Sequence, residues 1–234
     1  MDNLKLNFGK RKVKEGQKTS LVQKVFSEVS EKYDLMNDFM SLGTHRLWKK
    51  RLIEIMNIQK NDIILDVGSG TGDLPKLILN FEKTVYMHCL DLNKTMLSKS
   101  KKKIIKTNYK IKFINANAEK LSYKDNFFDK YVICFCLRNI TDIKKALEES
   151  FRVLKPGGIF YCLEFSEPDS FILNSLYKKY KKKIIPIMGE KIAKNENAYR
   201  YLEESISQFP NQENLIIELK KIGYEKTKYI NLFN

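Results

Sequence analysis

At 234 residues, with 43% hydrophobic and 12% aromatic content, the chain is long enough for one domain with a sizeable core and too apolar to be a disordered polymer. No run approaches the roughly 18 consecutive apolar residues of a spanning helix, and residues 1–14 are polar and basic, without the apolar stretch of a secretory signal. A net charge of +15 invites a nucleic-acid partner, but only six of the 43 basic residues are arginine, so the excess reads as a lysine-filled solvated surface with weak attraction to anionic membrane.

In chain order, a polar lead-in (residues 1–18) gives way to Leu21, Val22, Val25, Phe26 and Val29, which recur at helical spacing. A break around residues 40–44, rich in Ser and Gly, precedes a second helical stretch to about Met56. Residues 1–58 are therefore expected to form a lead-in and helical cap, and 59–234 the core domain. There the rhythm changes to short apolar runs alternating with helical segments. The predicted strands are 63–67, 85–91, 111–115, 130–135, 158–164 and 226–232; the predicted helices are 74–80, 94–106, 143–154 and 211–222. That alternation implies a doubly wound, mostly parallel α/β sheet covered on both faces.

A mostly helical insert is expected at about 169–209. It sets Phe171, Ile172, Leu173 and Leu176 beside Lys178, Lys179 and Lys181–Lys183, which suits either an anionic membrane surface that admits a lipid tail or a lid packed on the sheet. Cys89, Cys134, Cys136 and Cys162 all lie in apolar runs with no C-x-x-C pair, and the two histidines, His45 and His88, are far apart. No metal site and no disulfide framework is expected, and a reducing compartment fits.

The first core strand runs through Asp66 into Gly68-Ser-Gly70-Thr71-Gly72-Asp73, a glycine turn that opens a helix. Glycine lets the backbone take positive φ and approach a ligand. Asp91 ends the next strand 21 positions after Gly70, where a carboxylate accepts hydrogen bonds from ribose hydroxyls. The spacing is G-x-G-x-G, not the G-x-G-x-x-G of a dinucleotide site. Asp66 repels a pyrophosphate but attracts the sulfonium and ammonium of S-adenosylmethionine. Asp66, Gly68 and Gly70 are thus read as cofactor-binding. Asn117 and Ala118, after the third strand, suit the polar edge and face of an adenine, or simply a turn.

These features, together with Lys32-Tyr33-Asp34-Leu35-Met36-Asn37-Asp38, His45-Arg46-Leu47-Trp48-Lys49, Leu137-Arg138-Asn139-Ile140-Thr141-Asp142 and Tyr199-Arg200-Tyr201-Leu202, make the chain resemble the UbiE-type C-methyltransferases of ubiquinone and menaquinone biosynthesis along nearly its whole length. The run 158–166 is similar to the mitochondrial branch and points to a benzoquinol precursor of ubiquinone. The resemblance implies a class I, Rossmann-like methyltransferase whose cofactor contacts fall on Thr71, Asp91, Asn117, Ala118 and Cys134. Cys134 stands where the family has Ser, and a thiol is a poorer hydrogen-bond partner; Ser69 stands where Gly is common. The family continues past Asn234 into a final strand, so trimming at that end, and of a presequence at the other, is expected.

The resemblance further implies methyl transfer to a ring carbon of a polyprenylated benzoquinol, with no metal and no covalent intermediate. Arg138 would stabilise the phenolate or hold the water that takes its proton, since an arginine is no base itself. Asn139 and Tyr33 would orient the quinol oxygens. Alternatively, Arg138 pairs with Asp142 at a helix start, Tyr33 is a core tyrosine, and His45 and Trp48 pack the cap. The expected partners are the quinol, a membrane surface, a quinone-synthesis complex and a second copy of the chain. The expected place is the matrix face of the mitochondrial inner membrane, with the bacterial cytoplasm as alternative. An RNA methyltransferase is the rival enzyme class, but residues 134–139 read Cys-Phe-Cys-Leu-Arg-Asn, without the proline that amino-methylating and cytosine-methylating enzymes carry there. A cofactor-binding scaffold would keep the glycine loop without needing Arg138 and Asn139.

Overall fold

The computed structural model describes residues 7–8, 11–14, 16–104, 109–166 and 196–232. These divide into two compact units, one formed by residues 46–164 and the other by the segments on either side. The membrane-facing or lid surface expected at 171–193 lies outside the described residues.

In the central unit, strands β3 (Ile63–Val67), β4 (Tyr86–Leu90), β5 (Lys110–Ile114), β6 (Phe128–Cys134) and β7 (Leu154–Leu163) form one sheet in the order β5-β4-β3-β6-β7. Every neighbouring pair is parallel. Helices α4 (Asp73–Phe81), α5 (Lys94–Ile104) and α6 (Ile143–Val153) supply the crossovers. From β3 the chain steps outward through β4 to β5, then returns to β6 beside β3 and steps the other way to β7. With right-handed crossovers throughout, α4 and α5 cover one face and α6 the other. The order reverses between β3 and β6, and loops at the carboxyl ends of two such strands diverge to leave a crevice.

Local residue choice accounts for these elements. The four residues 64–67 of β3 and 87–90 of β4 are all buried, as strands covered on both faces require. The Asp142 side chain accepts a hydrogen bond from Lys145 N at 3.0 Å, which starts α6 at Ile143. Helix α3 (His45–Ile55) packs Leu52, Ile53 and, just beyond its end, Met56 into the same core as Ile64, Ile78, Leu79 and Val132. Tyr161 of β7 fixes that end by donating from its hydroxyl to Met56 O at 3.0 Å.

The other unit contains the antiparallel pair β1 (Asn7–Phe8) and β2 (Arg11–Lys12), with helices α1 (Gln17–Val29), α2 (Tyr33–Ser41), α7 (Glu196–Gln208) and α8 (Gln212–Ile222). Phe8 stacks on Tyr201 with ring centroids 4.4 Å apart. Asn211 caps α8 by accepting from Asn214 N at 2.9 Å.

Three expectations are corrected. The predicted strand 226–232 is not a strand: Lys226 sits at φ +48°, which no extended run adopts, and the segment after it is largely exposed. The break at 40–44 is shorter, because α2 runs through Ser41 and the turn is made by Leu42 and Gly43, at φ +51° and +76°. Strand β7 begins at Leu154 instead of 158, with a register irregularity opposite Phe128 and Lys130 that absorbs the extra residues. No helix among the described residues is long and apolar enough to cross a membrane.

Candidate active site

The crevice at the reversal point is lined first by the turn leaving β3. Gly68 N and Ser69 N both donate to Leu90 O, at 2.8 and 3.1 Å, so the loop is tied to the end of β4. Gly68, Gly70 and Gly72 take φ of +69°, +55° and +86°. A side chain at 68 would meet Cys136 Sγ at 2.2 Å, and one at 72 would meet Ser100 Oγ at 2.5 Å, so both positions are closed to anything larger than glycine. Thr71 is buried where the turn enters α4.

Two acids flank this turn. Asp91 accepts from Gly70 N at 2.8 Å on one oxygen and from Asn93 N at 2.7 Å on the other. Each oxygen keeps a second lone-pair direction, which is what a ribose diol needs. Burial raises its carboxyl above the ordinary range, against those two N–H groups. Asp66 is buried and accepts from the Ser69 hydroxyl. Burial pushes its carboxyl from 3.8 to about 7; the Ser69 hydroxyl opposes the rise, and the field of Asp91 adds to it. Two mutually repelling acids in a dry crevice welcome a cation. The ligand expected from the glycine loop is a sulfonium with an ammonium, and the donor set fits it.

The next lining comes from the loop after β5. Asn115 Nδ2 donates to Asp91 O and Leu92 O at 2.9 and 2.8 Å, which holds this loop against the end of β4. Asn117 Oδ1 accepts from Glu119 N at 3.0 Å, so the amide oxygen makes the turn and its NH2 group is what it can show an adenine. Ala118 is buried beside it. Glu119 then accepts from Thr141 N and Asp142 N, both at 3.2 Å, and ties this loop to the one after β6.

Past β6 the chain turns sharply. Phe135 is a buried non-glycine residue at φ +55°, and its N donates to Leu163 O at 2.7 Å. Its carbonyl is thereby turned to accept from Arg138 Nη1 at 2.8 Å and Asn139 Nδ2 at 3.3 Å. Arg138 Nη1 also lies 2.6 Å from Glu164 Oε2, both side chains being about 95% buried, and Arg138 N donates to Glu164 Oε1 at 3.3 Å. The pairing with Asp142 is therefore corrected: Asp142 caps α6 and pairs with Lys145, while the arginine's carboxylate comes from the end of the neighbouring strand. Cys134 ends β6, and burial pushes its thiol well up, with the Lys49 ammonium nearby opposing. Cys136 lies beyond the strand.

A cluster the sequence did not mark completes the crevice. Lys49, buried in α3, lies 3.3 Å from one Asp73 oxygen, and Lys103 binds the other. Burial raises the Asp73 carboxyl, but the two lysines outweigh it and hold the group below its ordinary range. Asp66, Gly68, Gly70, Thr71, Asp91, Asn117, Ala118, Cys134, Arg138 and Asn139 thus share the carboxyl-end rim of one sheet. Tyr33 opens α2 in the other unit, its ring 5.9 Å from that of Phe26. His45 is buried, 2.9 Å from Asp38. Among the described residues no group of His, Cys, Asp and Glu gathers to hold a metal.

Comparison with known proteins identifies the family and the fold. The model of the ubiE/COQ5 methyltransferase family matches residues 10–234. The "Ubiquinone/menaquinone biosynthesis C-methyltransferase UbiE" of Rickettsia prowazekii is 48% identical over 233 residues, covering 97% of this chain and 93% of the relative. Its counterpart in Rickettsia bellii is 47% identical with the same coverage. Among solved structures, a SAM-dependent methyltransferase from Thermotoga maritima is 21% identical with a TM-score of 0.58, over 87% of this chain and 81% of that one. The phosphoethanolamine N-methyltransferase 2 of Haemonchus contortus, solved with S-adenosyl-L-methionine, is 18% identical with a TM-score of 0.57, over 76% of this chain and 37% of that one. These two establish the class I methyltransferase fold.

Proposed function

The chain belongs to the ubiE/COQ5 methyltransferase family and uses S-adenosylmethionine as methyl donor, and from that premise we propose that it methylates a ring carbon of a polyprenylated benzoquinol in ubiquinone biosynthesis. The observation that carries the acceptor is the buried Arg138–Glu164 pair with Asn139 beside it, set against the glycine loop through Cys136 and Gly68.

S-adenosylmethionine supplies an electrophilic methyl group on a sulfonium. The protein's task is to hold the partners in line and to favour the ionised quinol, whose hydroxyl feeds charge into the ring. Glu164 balances the Arg138 charge, so Arg138 offers a quinol oxygen, or a water that takes its proton, directed hydrogen bonding more than net charge. Asn139 is held on the same Phe135 carbonyl and orients the second oxygen. The role of Tyr33 rests on the resemblance alone.

Demethylmenaquinol is the second reading, favoured by the relatives' name, which covers both quinones. The run 158–166, similar to the mitochondrial branch, supports the benzoquinol. A polyprenyl tail resides in the bilayer, so the enzyme works in peripheral contact with a membrane, and the +15 charge favours an anionic one. Bacterial relatives support the cytoplasmic face of a bacterial membrane over the mitochondrial matrix face. A homodimer and a quinone-synthesis complex rest on the resemblance.

The test is methyl-labelled S-adenosylmethionine offered with a methoxybenzoquinol, a demethylmenaquinol or RNA, the quinols carried in anionic vesicles. Label in the benzoquinol, with protein sedimenting with the vesicles at low salt, is expected. Label in demethylmenaquinol alone moves the assignment to the second reading, and label in RNA or in none overturns both. Protein left in the supernatant removes the membrane contact.

A further inference from the structure

Lys49 is 7% exposed, and its ammonium shares the Asp73 carboxylate with that of Lys103. Lys103 is about one-third exposed, whereas the Lys49 ammonium is buried and has one acceptor, Asp73, for its three donors. Buried donors left without acceptors are destabilising, so this ammonium has hydrogen bonds to offer an anionic ligand. Asp66 takes neither of the other two donors: its carboxyl accepts from the Ser69 hydroxyl.

Nor is Lys49 a surface lysine free to swing away. On one side of it the Trp48 ring lies 6.4 Å from that of Phe135. On the other, Leu52, Ile53 and Met56 are locked in the core, with Tyr161 bonded to Met56 O. Asp73 directly follows the last glycine of the turn, so the ammonium 3.3 Å from it lies beside that turn. A lysine has three donors, and Asp73 takes one.

S-adenosylmethionine carries a single anionic group, the α-carboxylate of its methionine end. With the ribose on Asp91 and the adenine at Asn117 and Ala118, that end lies along the glycine turn, between Asp66 and the first residue of α4, Asp73. We propose that Lys49 holds this carboxylate, with Asp73 and Lys103 keeping its ammonium in place. The zwitterion is then matched group by group, ammonium toward Asp66 and carboxylate toward Lys49. This rests on the S-adenosylmethionine assignment above.

The test is calorimetric binding to the full chain of four probes: S-adenosylmethionine, S-adenosylhomocysteine, decarboxylated S-adenosylmethionine and 5′-methylthioadenosine, which lacks the amino-acid end. Lys49→Met is expected to weaken the two carboxylate-bearing probes about 10- to 100-fold, as for a charge-assisted contact. It should change the other two less than about threefold. Lys49→Arg should restore most of the loss. Retained methylthioadenosine binding also shows that the variant is folded; should the Met variant lose all four probes, Lys49→Gln is read in its place. In the variant so read, an equal loss for methylthioadenosine and S-adenosylhomocysteine, or no loss for either, overturns the Lys49 assignment. A wild-type protein that binds none of the four overturns the cofactor assignment instead.

Discussion

The two halves of the crevice are electrically unlike. Around β3, β4 and β5, the acids Asp66 and Asp91 repel one another, and burial raises both carboxyls. Around β6 and β7, Arg138 and Glu164 neutralise each other at 2.6 Å and share one turn with Asn139. On the proposed assignment the first half holds the cofactor, and its two acids lack a cationic partner until the ligand arrives. The second half, proposed to hold the acceptor, is paired beforehand and presents geometry. Cofactor affinity should therefore follow charge and pH, and turnover should follow the orientation of donors.

Breaking the balanced half is the largest perturbation. Glu164→Ala leaves a buried guanidinium without its carboxylate, and a loss of about 3–5 kcal/mol in urea unfolding is expected. A loss below about 1 kcal/mol would mean that the pair is hydrated and the contrast false. Arg138→Lys comes next: it keeps the charge but not the fork that reaches Phe135 O and Glu164 together. Turnover should fall about 10- to 100-fold, with S-adenosylhomocysteine affinity unchanged by calorimetry. An equal fall in both would place Arg138 in the cofactor half.

The smallest effect sharpens the comparison most. Asp66 titrates near 7, and a cationic ligand favours its ionised form. Affinity for S-adenosylmethionine should therefore rise about fivefold between pH 6 and 7.5, and Asp66→Asn should flatten that profile. Because the folded carboxyl lies above its ordinary 3.8, the folded state binds the extra proton between those values and loses stability as pH rises through them. The same Asn variant should then unfold at a higher temperature than the parent at pH 7.5 while binding the cofactor more weakly.

Much of the geometry around the glycine turn was legible in the sequence because its signals are local. Strand 63–67 is a continuous apolar run, the glycines follow it at once, and Asp91 falls at the end of the next run. The acceptor half was legible only as residue types. The alternative reading of Arg138 gave it a partner four residues away, Asp142, whereas parallel pairing of Cys134 with Leu163 brings Glu164 alongside from 26 residues on. No short-range pattern encodes that register. Lys49 was hidden for a related reason: in a lysine-rich chain it looks like any solvated lysine, and only the packing of α3 buries it. The strand expected at 226–232 erred the other way, since alternating side chains say nothing about the torsion angle of Lys226.

The left-handed turn at Phe135 reaches beyond this one loop. Its φ of +55° costs about 1–3 kcal/mol for a residue with a side chain, and it points one carbonyl at both Arg138 and Asn139. Two functional groups are thus addressed by a single backbone dihedral, in the way that one hinge pin sets two doors. Evolution or engineering can exchange the residues at 138 and 139 and inherit their placement, so long as that dihedral survives. A change of the dihedral would misdirect both at once, with neither residue altered.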